Sequence, residues 1–128
     1  MNDNKIEAVE ATIAALEPGM KHVNITFKVV STSEEQSIDS SRDEGTQRVL
    51  DAVIGDSTAT VLMPVWNETI DSIKEGETYT LTNGYTGLFK GSLRLHLGKF
   101  GSIALAEETI DEVNTALDMS TKDFNSSQ

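Results

Sequence analysis

GYTGLFKGSLRLHLGKFG, residues 84–101, contains the most regular pattern in the chain. Leu93, Leu95 and Leu97 alternate with Ser92, Arg94 and His96. Alternation of this kind puts one set of side chains on each face of a strand. The same stretch holds three rings (Tyr85, Phe89 and Phe100), His96, and the cations Lys90, Arg94 and Lys99. From Thr78 to Ala106 there is no Asp or Glu, although the chain carries 21 acids and a formal net charge of -11. Rings interleaved with cations and kept clear of carboxylates suit single-stranded nucleic acid. Bases stack on rings, phosphates are drawn to Lys and Arg, and nearby carboxylates would repel the backbone. An amphipathic hairpin, with rings in the core and cations keeping it soluble, fits the same spacing.

Outside this window the acids concentrate at the two ends and in residues 33–46. A small basic face can therefore bind phosphates locally on an acidic protein, with weaker long-range steering. At 128 residues the chain suits one domain. It has no cysteine, hence no disulfide framework or thiolate metal site. No apolar run reaches membrane-spanning length and no secretory leader is visible, so a soluble, cytoplasmic protein is expected.

Upstream, Val23, Ile25, Phe27 and Val29 alternate with Asn24, Thr26 and Lys28, which predicts a half-buried strand. Residues 31–46 are rich in Ser and acid and read as a loose connection. Gln47 to Ile54 reads as a second strand with both faces partly apolar, followed by turn chemistry at Gly55-Asp56-Ser57. Thr58 to Trp66 reads as a third, with Val61, Met63 and Val65 on one face and Leu62, Pro64 and Trp66 on the other. Pro64 cannot donate to a ladder and is expected near an end or an edge. Asn67 is placed to cap a helical turn that turns Ile70 and Ile73 inward. Thr78 to Asn83 is the fourth strand and the Leu93–Leu97 run the fifth, with Ile103, Leu105 and Phe100 available to close the core. Ile6, Val9, Ile13 and Leu16 sit at helical spacing and suggest a short N-terminal helix. Five strands with a helical turn after the third is the layout of an all-β OB-fold barrel, with room for short terminal helices. The expected division is an N-terminal segment 1–18, an OB domain 19–106, and an acidic, disordered tail 107–128.

An ordered set of segments then resembles a known family. Leu16-Glu17-Pro18-Gly19-Met20-Lys21-His22-Val23-Asn24, Ala52 to Thr58, Pro64-Val65-Trp66, Ser72 to Gly76, and Asn83 to Gly91 are similar to the archaeal single-OB single-stranded DNA-binding proteins. These are related to the OB subunit of the human sensor-of-single-strand complex. The resemblance covers roughly residues 12–106. It implies a monomeric OB domain that stacks bases on Trp66, Tyr85 and Phe89, and a tail that meets partner proteins. His96 stands where some members carry a ring, and Leu62 and Pro64 stand where polar side chains are common.

The expected nucleic-acid site is Trp66, Tyr85, Phe89, Lys90, Arg94, His96 and Lys99. The expected role is to cover exposed single-stranded DNA in replication and repair, without a base code. RNA as the ligand and a protein-interaction module are the alternatives. No cofactor is implied. His22 and His96 are not at metal spacing, Gly87 to Ser92 lacks phosphate-loop spacing, and no Ser-His-Asp set can be argued, so no enzyme activity is expected. The opposite charges of the tail and of residues 78–106 also suggest that the tail competes for the binding face.

Overall fold

The computed structural model describes residues 9–39, 45–98 and 101–121. Its strands are β1 (Val9–Glu10), β2 (Val23–Thr32), β3 (Gln36–Asp39), β4 (Thr46–Gly55), β5 (Thr60–Trp66), β6 (Thr78–Phe89), β7 (Ser92–His96) and β8 (Ser102–Leu105). Short 3-10 turns occupy Ile13–Ala15 and Asn67–Ser72. The pairing path runs β2-β4-β5-β7-β6 and returns to β2, which closes a barrel. All pairings around this ring are antiparallel except β5 with β7, which is parallel and registers only Leu62 with Arg94. That strand order, with the helical turn between β5 and β6, is the OB topology.

Alternation drives the closure. Val23, Ile25, Phe27 and Val29 of β2 point inward, as do Leu50, Ala52 and Ile54 of β4. Val61, Met63 and Val65 of β5, Tyr79 and Leu81 of β6, and Leu93 and Leu95 of β7 complete the lining. Register shifts at Val29/Ser31 and Val23/Ile25 let β2 bend from one neighbour to the other. Pro64 sits where β5 has run past its single registered pair with β7, so its missing N–H breaks no ladder there.

Four expectations change. Residues 9–16 form a two-residue strand and a 3-10 turn, not a continuous helix. The N–H groups of Ile13 and Ala14 donate to Asp56 Oδ2 and Thr58 Oγ1, both at 3.0 Å. Tertiary acceptors thus replace the helical ladder, which is marginal in so short a segment. Part of the 31–46 connection is structured: β2 continues to Thr32, and β3 pairs with β4 from Gln36–Val49 to Asp39–Thr46. Asn67 does not cap its turn; its side chain accepts the Arg48 N–H at 2.9 Å. β8 pairs with β6 outside the ring, leaving Ile103 half-buried and Leu105 exposed.

The C-terminal segment also differs from the disordered tail expected for 107–128. Residues 107–121 lie against the barrel: Met119 and Ser120 are buried, and the Met119 N–H donates to the Thr60 carbonyl at 2.7 Å. Phe100 lies outside the described residues.

Asp56 ties three parts of the chain together. Its carboxylate accepts the N–H groups of Ile13 (3.0 Å), Thr58 (2.8 Å) and Ala59 (3.2 Å), while its carbonyl accepts that of Asn114 (3.0 Å). Removing a buried charged acceptor strands several donors at once. Asp56→Ala is expected to lower unfolding stability by about 3 kcal/mol, read as a lower urea midpoint at unchanged slope. A midpoint equal to the parent's would refute this role.

Candidate nucleic-acid interface

The pleat that turns Leu50, Val65, Leu93 and Leu95 inward turns their neighbours outward. Val49 and Asp51 of β4, Pro64 and Trp66 of β5, and Arg94 and His96 of β7 meet on the outer surface. With Ile38 of β3 and Phe89 of β6 they line an open, mainly apolar groove of about 410 Å³. Trp66 is 44% exposed, Tyr85 43% and Phe89 55%. Aromatic surface left so bare on an acidic chain is available for stacking.

Two corners hold these rings. Beyond Trp66, the Arg48 guanidinium donates to the Asn67 carbonyl at 3.0 Å and to Asp71 at 2.9 Å, and pairs with Glu35 at 3.4 Å. The hydrogen bond that Arg48 donates to Asp71 is the main reason the Arg48 pKa is raised. Arg48 is thus committed to fixing the chain after Trp66. Beyond Phe89, Lys90 and Gly91 both take positive φ (54° and 83°) and join β6 to β7 as a two-residue hairpin turn. Such turns match the twist of the flanking strands, and glycine supplies the second position without strain.

The hairpin sets the cations around Phe89. Lys90 Nζ lies 5.4 Å from the ring centroid and Arg94 Cζ 5.3 Å. Both are within cation–π range. Arg94 is held further by Nε donating to Ser92 Oγ at 3.3 Å and by an ion pair to Asp51 at 3.8 Å. Tyr85 lies opposite His96 across the β6–β7 ladder, and the rings stack with centroids 4.8 Å apart and planes at 19°. Tyr85 also packs over Gly98, whose φ of +79° and closeness to that ring leave little room for a side chain. The aromatic surface therefore continues from the groove across His96 onto Tyr85.

Of the seven expected site residues, Trp66, Phe89, Arg94 and His96 line the groove itself. Tyr85 and Lys90 border it through His96 and Phe89. Lys99 lies outside the described residues. Sequence reasoning missed Ile38, Val49, Asp51 and the corner residue Arg48. Asp51 overturns the notion of a site clear of carboxylates, because β4 carries it to Arg94 from outside the acid-free window. Pro64, which stands where the resemblance leads one to expect a polar side chain, supplies apolar groove surface. Lys28 is not among the lining residues. Among the described residues, no three His, Cys, Asp or Glu side chains gather as a metal site, and no helix is long and apolar enough to cross a membrane.

A closed OB barrel thus carries on one face an apolar groove with bare rings and few cations. Residues 16–105 match the family model described as single-stranded DNA binding protein Ssb-like, OB fold, and the chain belongs to that family. It is 34% identical over 100 residues to the single-stranded DNA binding protein Ssb of Saccharolobus solfataricus, an alignment covering 78% of this chain and 66% of that protein. The solution structure of a hypothetical Arabidopsis thaliana protein is similar with a TM-score of 0.78 at 26% identity, covering 100% of this chain and 94% of that one. The second OB-fold domain of replication protein A from Methanococcus maripaludis shares the fold, with a TM-score of 0.60 at 20% identity over 80% of this chain and 100% of that one.

His96 carries a lowered pKa, first because burial disfavours the imidazolium and second because Arg94 is nearby. The folded chain resists this protonation. As pH falls through the ordinary histidine value, the unfolded chain takes up more protons and stability declines. In NMR titration, His96 is expected to show a midpoint below that of an unperturbed histidine. Arg94→Gln should raise it only part of the way, since burial is the larger cause. A midpoint at or above the ordinary value in the parent would contradict this.

Proposed function

We propose that the chain binds single-stranded DNA without a strong base preference and covers exposed strands in replication and repair. The observation that carries this reading is a run of rings on one face, with exposed Trp66 and Phe89 in an apolar groove and the Tyr85–His96 stack continuing from it. Every base has a π-face, so stacking tolerates any sequence. The polar groups at the groove, Asp51, Arg94 and His96, are too few to read a series of base edges. Lys90 and Arg94 sit at Phe89, where a phosphate would follow a stacked base. With so few cations the affinity falls with salt less steeply than for a strongly basic binder. The family and the archaeal relative support DNA as the ligand.

Trp66 provides the direct test. A thymidine oligomer added at low salt is expected to quench its fluorescence. Alanine at Tyr85 or Phe89 should weaken binding by about 1–3 kcal/mol each, read by the anisotropy of a labelled oligomer. Absence of quenching together with unchanged affinity in both variants would reject the stacking site. Competition with a matched RNA oligomer tests the choice of sugar, since stacking alone accepts either.

Asp51 should work against binding. It places a negative charge in the groove and engages Arg94. Asp51→Asn is expected to tighten DNA binding by about three- to tenfold at low salt, with the gain shrinking as salt screens the charge. Weaker binding in this variant would show that the ion pair serves the site by holding Arg94 in place.

A further inference from the structure

The C-terminal segment reaches the groove through the barrel's weakest seam. β5 and β7 share the single registered pair Leu62–Arg94. Residues 117–120 lie along this seam. The Thr60 N–H donates to the Leu117 carbonyl at 2.8 Å, and Thr60 and Asp118 form a parallel bridge. Ser120 then spans the gap: its hydroxyl accepts the Leu62 N–H of β5 at 2.8 Å and donates to the Leu93 carbonyl of β7 at 2.6 Å. Both ladder groups are satisfied by one side chain, and Ser120 is itself buried.

The contact continues toward the ligand face. Ser92 Oγ donates to the Ser120 carbonyl at 2.8 Å, which orients its proton toward the C-terminal segment. Its lone pairs are left for Arg94, whose Nε donates to Ser92 Oγ at 3.3 Å. Arg94 in turn lies over Phe89 in the groove. Ser92 is thus the joint between the buried Ser120 and the cation of the proposed site.

We propose that Ser120 and Ser92 are positioning residues for nucleic-acid binding. The C-terminal segment stitches β5 to β7 and, through Ser92, holds the Arg94 guanidinium over Phe89 in the orientation that meets a phosphate. This assigns residues 117–120 a supporting role at the site, opposite in sign to a tail that competes with DNA. It rests on Arg94 acting in the groove as proposed above.

The test uses the full chain and a labelled thymidine oligomer across a salt series. Ser92→Ala and Ser120→Ala are each expected to weaken binding about three- to tenfold and to flatten the salt dependence toward that of Arg94→Ala. Neither should weaken binding further when Arg94 is already Ala, because residues that act through one another are not additive. Ile25→Val, a core change on β2, which pairs with neither seam strand, should lower thermal stability and leave affinity and salt slope unchanged. Should Ser120→Ala fail to fold, Ser92→Ala carries the test, since Ser92 is the joint to both. Parental affinity in the serine variants, or equal losses with and without Arg94, overturns the proposal while leaving the groove intact. Parental affinity in Arg94→Ala removes Arg94 from the site and the positioning role with it.

Discussion

The period of the pleat, imposed on a ring of strands, is the constraint from which the site follows. Once Leu50, Ala52, Val65, Leu93 and Leu95 are committed to the core, their neighbours must face out. Val49, Asp51, Pro64, Trp66, Arg94 and His96 are those neighbours, and pairing across β4, β5 and β7 gathers them into one groove. A one-residue slip in any of these strands would bury the wrong set. The stability of the inner face is therefore what keeps the rings of the outer face bare.

Electrostatics at this surface is a local matter. The formal charge of -11 is spread largely over the ends and the acid-rich segment. Exposed charges farther away than a Debye length of about 8–10 Å are largely screened. Asp51, 3.8 Å from Arg94, is not. The groove is thus a mainly apolar strip with few charges, and in the proposed reading its main attraction for a nucleic acid is stacking. One internal carboxylate moderates its strongest cation. This explains how an acidic chain can carry such a site without a broad basic face.

Rigidity comes from polar devices at the ends of the strands. Arg48 and Asn67 fix the corner beyond Trp66, and the Lys90-Gly91 turn fixes the one beyond Phe89. Ser120 closes the seam under Arg94. Arg48, Asn67 and Ser120 each bond to backbone atoms as well as side chains, which limits how far the rings can wander before a ligand arrives. Ordering them in advance reduces the entropy lost on binding.

Much of this was visible in the chain itself. Alternation is a local property, so the inward sets of β2, β5 and β7, the outward Trp66 and the outward Arg94 could all be read from neighbouring residues. The order of strands and the helical turn after the third pointed to the barrel for the same reason. The rest depended on contacts between distant segments. Ile13 and Leu16 sit at helical spacing, yet their segment bonds to Asp56 and Thr58. The 107–121 segment looks like a polar tail, yet Met119 and Ser120 are buried at a seam that exists only once β5 meets β7. A gap in acids along the sequence likewise says nothing about a carboxylate delivered from the adjacent strand. Sequence by itself determined which faces are apolar and where rings and cations occur, because pleating acts between nearest neighbours. Tertiary structure alone decided that Asp51, Ile38 and Val49 share the groove and that Ser120 lies behind Arg94, because barrel closure joins residues that local preference cannot connect.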